Sequence, residues 1–425
     1  LCHSPPFPLF SIRLLAYSIP MKISRSWLSD FVEWIEEDPL VIADELTRCV
    51  GEVDDVEFLG KYLKDCVVGR LVTLEKHPNA DKLSVCTVDT GSGAATVVCG
   101  GTNLREGMLV AFAPLGATVK WHGGEEMVLE KVKLRGVESH GMICAGEELG
   151  IASLFPPKPE DGERAIVDLS TTGYAVGARL AEVLEMDDVV FHIDNHAITN
   201  RPDLFSHIGV ARELVALGLA TPKKQTSSAL RLGKKPQHIV FKNEIPHLVP
   251  FYGACSLLID GVGETPLWMK RRLEATGWRS INTVIDITNY VLMETGMPLH
   301  SFDADEIVGT VTAKSAVKGD KIQTLDGVDR VLPTGAIVLS DDQGIFDLLG
   351  IMGGMRSSTK QSTKRVYLHA AVVDPVSIRR AVIALGHRTD AATVYEKGVP
   401  FVSAEHGLRR ALQLFLELEI GRAHV

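Results

Sequence analysis

The chain lacks several features that would assign it to a class at once. Its 425 residues include seven cysteines (Cys2, Cys49, Cys66, Cys86, Cys99, Cys144, Cys255), an odd number, scattered and with no C-x-x-C pair. That usage argues against a disulfide framework or a cysteine zinc site and suits a reducing cytoplasm. No glycine run is followed by G-K-[ST], so no P-loop is present. No stretch reaches the ~18 uninterrupted apolar residues of a membrane helix, and no membrane partner is expected. Positive charge is also short. With 44 Lys+Arg against 54 Asp+Glu the formal net charge is −10. A nucleic acid would therefore be held by a local patch or by shape, or mainly by a partner protein.

What is present describes a soluble globular protein: 45% hydrophobic and 23% charged residues. The length predicts two or three domains. Residues 1–20 are apolar and proline-bearing, without the basic start of a signal peptide, and read as a non-native leader ahead of Met21. The closing EIGRAHV reads as an artefactual tail on residues 401–425, themselves the truncated start of a next domain. Between these ends lie a predicted helix from Trp27 to Trp34, another at Ile42–Cys49 and a strand at Val53–Phe58. From Val67 to about Ile151 come short alternating strands with tight turns, Gly91-Ser92-Gly93 among them. That spacing predicts a small β-barrel, with an OB-fold as the natural candidate. A mixed α/β region follows to about Pro400. In it Ser206 caps a helix ending at Gly218, and Asp374-Pro375 starts another ending at Gly386.

The densest functional pattern is RSINTVIDITNYVLMETGMPLHSFD, Arg279 to Asp303. It reads as an apolar strand (Val284, Ile285, Ile287) leading to Asp286, Thr288 and Asn289, then a helix, then Gly296, Pro298 and His300. Polar side chains grouped where the chain leaves regular elements, beside apolar walls, are typical of small-molecule pockets. Gly350, Gly353 and Gly354 follow another apolar strand; a tight turn and a close ligand approach account for them equally well. The H-x-D-x-H run His192/Asp194/His196 is read as structural, not as a metal site. Arg201, Asp203, His207, Arg212 and Glu213 crowd one helix start and are expected to form an internal hydrogen-bond network.

Arg279–Asp303 resembles the editing domain of bacterial phenylalanyl-tRNA synthetase beta subunits, which usually reads R-x-INNVVDITNYV, a helix, then QP(L/M)HAFD. The barrel resembles that family's tRNA-binding domain through HPNADKLSVCTVDTG (His77–Gly91), VVCGGTNLREGMLVAFAPLGA (Val97–Ala117) and KLRGVESHGMICAGEELG (Lys133–Gly150). The resemblance implies a multidomain α+β chain. A split α/β domain (21–60 with 152–190) is interrupted by the OB-fold barrel (61–151), and an editing domain (191–400) follows. It implies an enzyme of two alpha and two beta chains that attaches phenylalanine to tRNA-Phe with ATP and magnesium. The chemistry resides in the alpha chain, so this chain alone is not expected to aminoacylate or to bind those cofactors.

The family's pocket positions fall on Thr288, Asn289, Pro298, His300, Gly350, Gly353, Thr389 and Ala391, and all eight residue types agree. His300 and Asn289 would orient a hydrolytic water, helped by backbone N–H groups near Gly353. The others would bind the amino acid. Two positions depart. Where the family has a glutamate, in N-V-L-L-E-A-A, this chain has His369; a second usual acid is Met355. A neutral imidazole both donates and accepts, but a carboxylate accepts a hydroxyl more strongly. Editing of Tyr-tRNA(Phe) is therefore expected to be weakened or retuned. On the barrel, Asn79, Lys82, Lys133, Arg135, Ser139 and His140 are candidate RNA contacts, amid a mixed-charge face that also carries Lys120, Lys131 and many acids. A free-standing tRNA-binding module and an autonomous editing hydrolase are the rival readings.

Overall fold

A computed structural model describes residues 21–224 and 239–418 together with the backbone of 421–424; the leader at 1–20 lies outside the described residues. At the amino end, strand Val189–Ile193 sits between Met21–Ser24 and Val53–Phe58 in an antiparallel sheet, with Phe58 directly opposite Val189. The predicted Trp27–Trp34 helix is shorter and earlier. A single turn, Arg25–Leu28, is capped by the Ser24 hydroxyl, and Val32–Trp34 is a strand paired with Ala220–Pro222.

Residues 67–143 form a five-stranded antiparallel sheet in the order Met142–Ile143, Leu109–Ala113, Val67–Lys76, Ser84–Asp89, Ala94–Cys99. It curls until its ends nearly meet: the His140 backbone N–H donates to Thr96 O at 2.8 Å. Alternation along the strands fills this barrel with Leu71, Cys86, Val88, Val97, Val110 and Phe112. The last predicted strand, GMICAGEELG, is only half strand. Gly146–Leu149 turns helical, closed by Gly150 at φ +71°. Leu154, Val167, Leu169, Leu180 and Leu184 pack with the other side of the barrel strands.

The remainder shares one core with the amino-terminal sheet. A sheet of His300–Asp303, Arg365–Val372, Phe251–Ile259 and Gly421–His424 lies beside a second sheet containing Val311–Ser315, Ile337–Asp341, Gly344–Leu348 and Met352–Gly353. Residues 401–417, expected to open a new domain, instead form a helix (Phe401–Glu417) against this core. Its Arg410 donates to buried Glu294 at 2.7 Å. The closing segment Gly421–His424 pairs with Phe251–Ile259.

The predicted strand at 284–287 is a helix, Thr283–Thr295. Its β-branched residues favour a strand locally. Against that, the Asn282 side chain accepts from the N–H groups of Val284 and Ile285, and Gly296 ends the helix at φ +76°. Val284, Ile287 and Val291 recur on one helical face and are fully buried. Asp286 fastens the helix start, accepting from Thr265, Ser280 and the Ile281 N–H.

His207 holds the helix layer to the amino end. Its Nε2 accepts from Ser24 N at 3.0 Å, so Nδ1 carries the proton donated to Met293 O at 2.7 Å. Trp27 stacks on the ring. Burial pushes its pKa down to about 3. The unfolded chain would protonate near 6.5, so the folded state binds fewer protons and stability falls as pH drops from about 6.5 toward 3. The slope per such group is up to about 1.4 kcal/mol per pH unit. Urea midpoints should decrease between pH 7 and pH 5, and His207→Gln should flatten that decrease while lowering stability at pH 7.

Candidate functional site

The strand Arg365–Val372 alternates. Val366, Leu368 and Ala370 turn to one face and Tyr367, His369 and Ala371 to the other. Register places His300 opposite His369 and Phe302 opposite Tyr367, with Tyr252 opposite Ala371 on the third strand. One sheet face therefore carries His300, Phe302, His369, Tyr367 and Tyr252. His369 is sandwiched, with Phe302 at 5.3 Å and 2° on one contact and Tyr252 at 5.1 Å and 15° on another. The His300 ring lies 6.1 Å from that of His369, edge to face.

His369 is 2% exposed, and neither ring nitrogen has a hydrogen-bond partner among the described residues. Burial, and then the neighbouring His300, hold its pKa well below the ordinary value. His300 is half-buried, and burial lowers it to about 4. Both imidazoles are neutral near pH 7, so each offers one donor and one acceptor.

Gly353 belongs to the same place. A Cβ there would lie 2.2 Å from His300 Nε2. At Gly350, φ is +81°, and a Cβ would crowd Ile378 and Tyr395. Thr389 caps the Asp390–Tyr395 helix and donates to Ile351 O at 2.7 Å, while the Tyr395 hydroxyl donates to Pro298 O at 3.1 Å. Pro298, Gly350, Gly353, Thr389 and His300 are thus joined through a few direct contacts. Ala391 is half-buried against the same core. Thr288 is buried, and its hydroxyl is committed to Ile285 O at 2.7 Å, within its own helix. Asn289 is half-buried on that helix, which contacts the His300 strand. The N–H groups after Gly353, expected to assist a developing anion, are committed: Gly354 donates to Phe346 O and Met355 to Gln323 O, each at 2.9 Å. Met355 itself points outward, 37% exposed.

Sequence reasoning missed the tyrosines of this site and Asp347. Asp347 is 3% exposed, directly opposite Gly353 in the second sheet. The available signal was one acid inside the apolar run GIFDLLG.

The RNA candidates lie elsewhere, on the barrel. The Asn79 amide donates to Arg135 O at 3.0 Å, tying the 77–83 loop to the hairpin of Val132–Leu134 and Val137–Ser139. Lys82, Lys133 and Arg135 are exposed there and in no ion pair among the described residues, whereas Lys131 pairs with Glu138 at 2.7 Å. Ser139 is 2% exposed; its hydroxyl accepts from Val98 N and donates to Gly141 O, which makes it a barrel fastener. His140 is half-buried, 3.9 Å from Glu138. A cleft of about 1570 Å³ is lined by this part of the barrel and by Glu264, Thr265, Leu267 and Lys270, and His300 is not in its wall. His192 meets Glu57 at 2.9 Å and His196 meets Asp194 at 2.9 Å; of the expected network, Arg201 bridges Asp203 and Glu213, whereas His207 bonds Ser24 and Met293 instead.

Gly353→Ala should displace the His300 ring and destabilise the fold by about 1–3 kcal/mol. A shifted His300 resonance in NMR together with a lowered urea midpoint is the expected outcome.

Two family models match the chain: "Putative tRNA binding domain" over residues 66–165 and "B3/4 domain" over residues 250–419. The first covers the barrel, the second the two sheets around His300. Among curated proteins, the phenylalanine–tRNA ligase beta subunit of Gloeobacter violaceus is 36% identical over 413 residues, 95% of this chain and 50% of that protein. That of Syntrophus aciditrophicus is 37% identical over 408 residues, 95% of this chain and 48% of that protein. An N-terminal fragment of the Pyrococcus horikoshii phenylalanyl-tRNA synthetase beta subunit is a more distant likeness. It is 19% identical, covers 48% of this chain and 62% of that one, and has a TM-score of 0.28, too slight to use. The chain spans about half the length of the curated relatives it matches. It belongs to the family of phenylalanine–tRNA ligase beta subunits.

Proposed function

We propose that the chain forms the tRNA-binding and editing part of a phenylalanine–tRNA ligase beta subunit and hydrolyses tyrosine attached in error to tRNA-Phe. The observation that carries this reading is His300: an imidazole with no hydrogen-bond partner among the described residues, half-buried, packed against Gly353 and facing His369. With its pKa near 4, His300 is a weak base. Its task is to accept a hydrogen bond from water and orient it, not to remove a proton outright. The water oxygen adds to the ester carbonyl, the ester C–O bond breaks, and the proton passes to the departing ribose oxygen. Asn289 supplies an amide to the same water or carbonyl, while Pro298, Gly350, Gly353, Thr389 and Ala391 shape the seat of the amino acid. Thr288 acts through its packing.

The barrel, read as an OB-fold, holds the RNA. Asn79 positions a hairpin from which Lys82, Lys133 and Arg135 reach phosphates, with His140 alongside. In the assembled cytoplasmic enzyme of two alpha and two beta chains, this part serves phenylalanine attachment indirectly. Among the described residues no three His, Cys, Asp or Glu side chains converge as metal ligands. ATP and magnesium serve the attachment reaction of the assembled enzyme, whose chemistry lies in the alpha chain.

With the assembled enzyme, Tyr-tRNA(Phe) should be hydrolysed faster than Phe-tRNA(Phe). His300→Ala should slow this by about 10–100-fold, and His369→Glu should change the rate severalfold. Equal rates for the two substrates, or none above background, would overturn the reading. Hydrolysis without the alpha chain would instead favour an autonomous editing enzyme. Replacing Lys82, Lys133 and Arg135 with alanine should weaken tRNA binding and reduce the slope of log K against log salt by about 2–3, read by filter binding at several salt concentrations.

A further inference from the structure

Two polar side chains in this region have no work within the fold. His369 is closed off from water with both nitrogens unpartnered, and Asp347 makes no hydrogen bond or ion pair among the described residues although it is 3% exposed. Leaving such groups unmade costs about 1–3 kcal/mol each, and more if charged. Folded proteins rarely carry that burden without a use for the group.

The two belong to one place. Directly paired antiparallel residues point to the same side, with Cβ atoms about 4.5–5.5 Å apart. Asp347 is paired with Gly353, whose Cβ position lies 2.2 Å from His300 Nε2. Asp347 thus leaves its strand on the side occupied by the His300 ring, which faces His369. Tyr252, which stacks on His369, and Tyr395, which holds Pro298, are raised chiefly by burial and further by the nearness of Asp347. Burial raises the Asp347 carboxyl to about 8.

The chemistry of the pair narrows the ligand. Phe302 and Tyr252 cover the His369 ring, so it meets a ligand through its edge, where the nitrogens are. Burial holds the Asp347 carboxyl largely protonated near pH 7, so an ammonium or a carboxylate would meet no opposite charge here and would bring a bare charge against an apolar wall. The ligand is therefore neutral, and it must both accept from an imidazole N–H and donate to a carboxyl oxygen. A hydroxyl does both, accepting from the ring and donating to the carboxyl. The surrounding wall of Phe302, Tyr252 and Tyr367 suits an aromatic ring carrying that hydroxyl.

We propose that Asp347 and His369 together clasp the hydroxyl of a hydroxyphenyl side chain, making Asp347 the residue that selects tyrosyl over phenylalanyl ligands. This rests on the editing reading for the identity of the substrate. A site that hydrogen-bonds a hydroxyl in a dry pocket discriminates far better than one that measures size.

The test measures binding of free L-tyrosine and L-phenylalanine to the full chain by calorimetry, alongside hydrolysis of the two aminoacyl-tRNAs by the assembled enzyme. Wild type should prefer tyrosine by about tenfold or more, and Asp347→Ala should reduce the preference below about threefold. The double variant Asp347→Ala, His369→Glu returns a carboxyl from the opposite strand and should restore it. Because Asp347 supports nothing in the fold, Asp347→Ala should keep or raise the urea midpoint, which a structural carboxyl would not allow. No tyrosine preference in wild type, or one unchanged in Asp347→Ala, overturns the proposal. Tyrosine preference that depends on Asp347 but comes without Tyr-tRNA(Phe) hydrolysis supports the clasp and removes the hydrolase reading. Selective hydrolysis unaffected by Asp347→Ala removes the clasp and leaves that reading standing.

Discussion

The strand Arg365–Val372 is covered on both faces, and much of the molecule is arranged around that fact. Its Val366, Leu368 and Ala370 side is buried, with the Phe401–Glu417 helix packed on the strand. Its Tyr367 and His369 side meets the aromatic residues of the neighbouring strands. Register cannot slip by one residue here, because every side chain would exchange faces. The cross-strand pairing of His300 with His369 follows from this constraint, and so does the exclusion of water from the His369 ring.

That placement governs the electrostatics. Three histidines, His207, His300 and His369, are held neutral by burial, yet they differ in what they touch. His207 is bonded through both nitrogens to backbone groups and serves the fold. His369 is almost as enclosed, and its ring nitrogens have no hydrogen-bond partner among the described residues. The contrast separates the two histidines more sharply than either pKa does.

Elements whose signals are local were legible in the sequence. The His207–Ala216 and Pro375–Leu385 helices carry their caps, Ser206 and Asp374, in plain view, and alternating apolar residues marked the barrel strands. The helix at Thr283–Thr295 misled because Val284, Ile285, Ile287 and Thr288 are β-branched, and the deciding facts were a cap and a packing face. The grouping proposed around His300 shows in the sequence only where its residues adjoin, as at Pro298 and His300. Asp347 does not show there, because its relation to His300 passes through a strand pairing and a missing Cβ at Gly353. The commitment of Ser139 and Thr288 hydroxyls inside the fold was equally out of reach, since exposure is a property of the assembled structure.

The amino-terminal sheet has a further consequence. Phe58 and Val189 face each other across it, so everything between them is, in topological terms, the loop of a single β-hairpin. Closing a loop costs entropy only as the logarithm of its length, and a loop that folds on its own core costs less than a floppy one. The sheet can therefore carry a whole barrel between two paired residues without altering its own pairing. The barrel has both its ends pinned at one point, so a change of length or sequence inside it need not alter the register of the sheet that carries it.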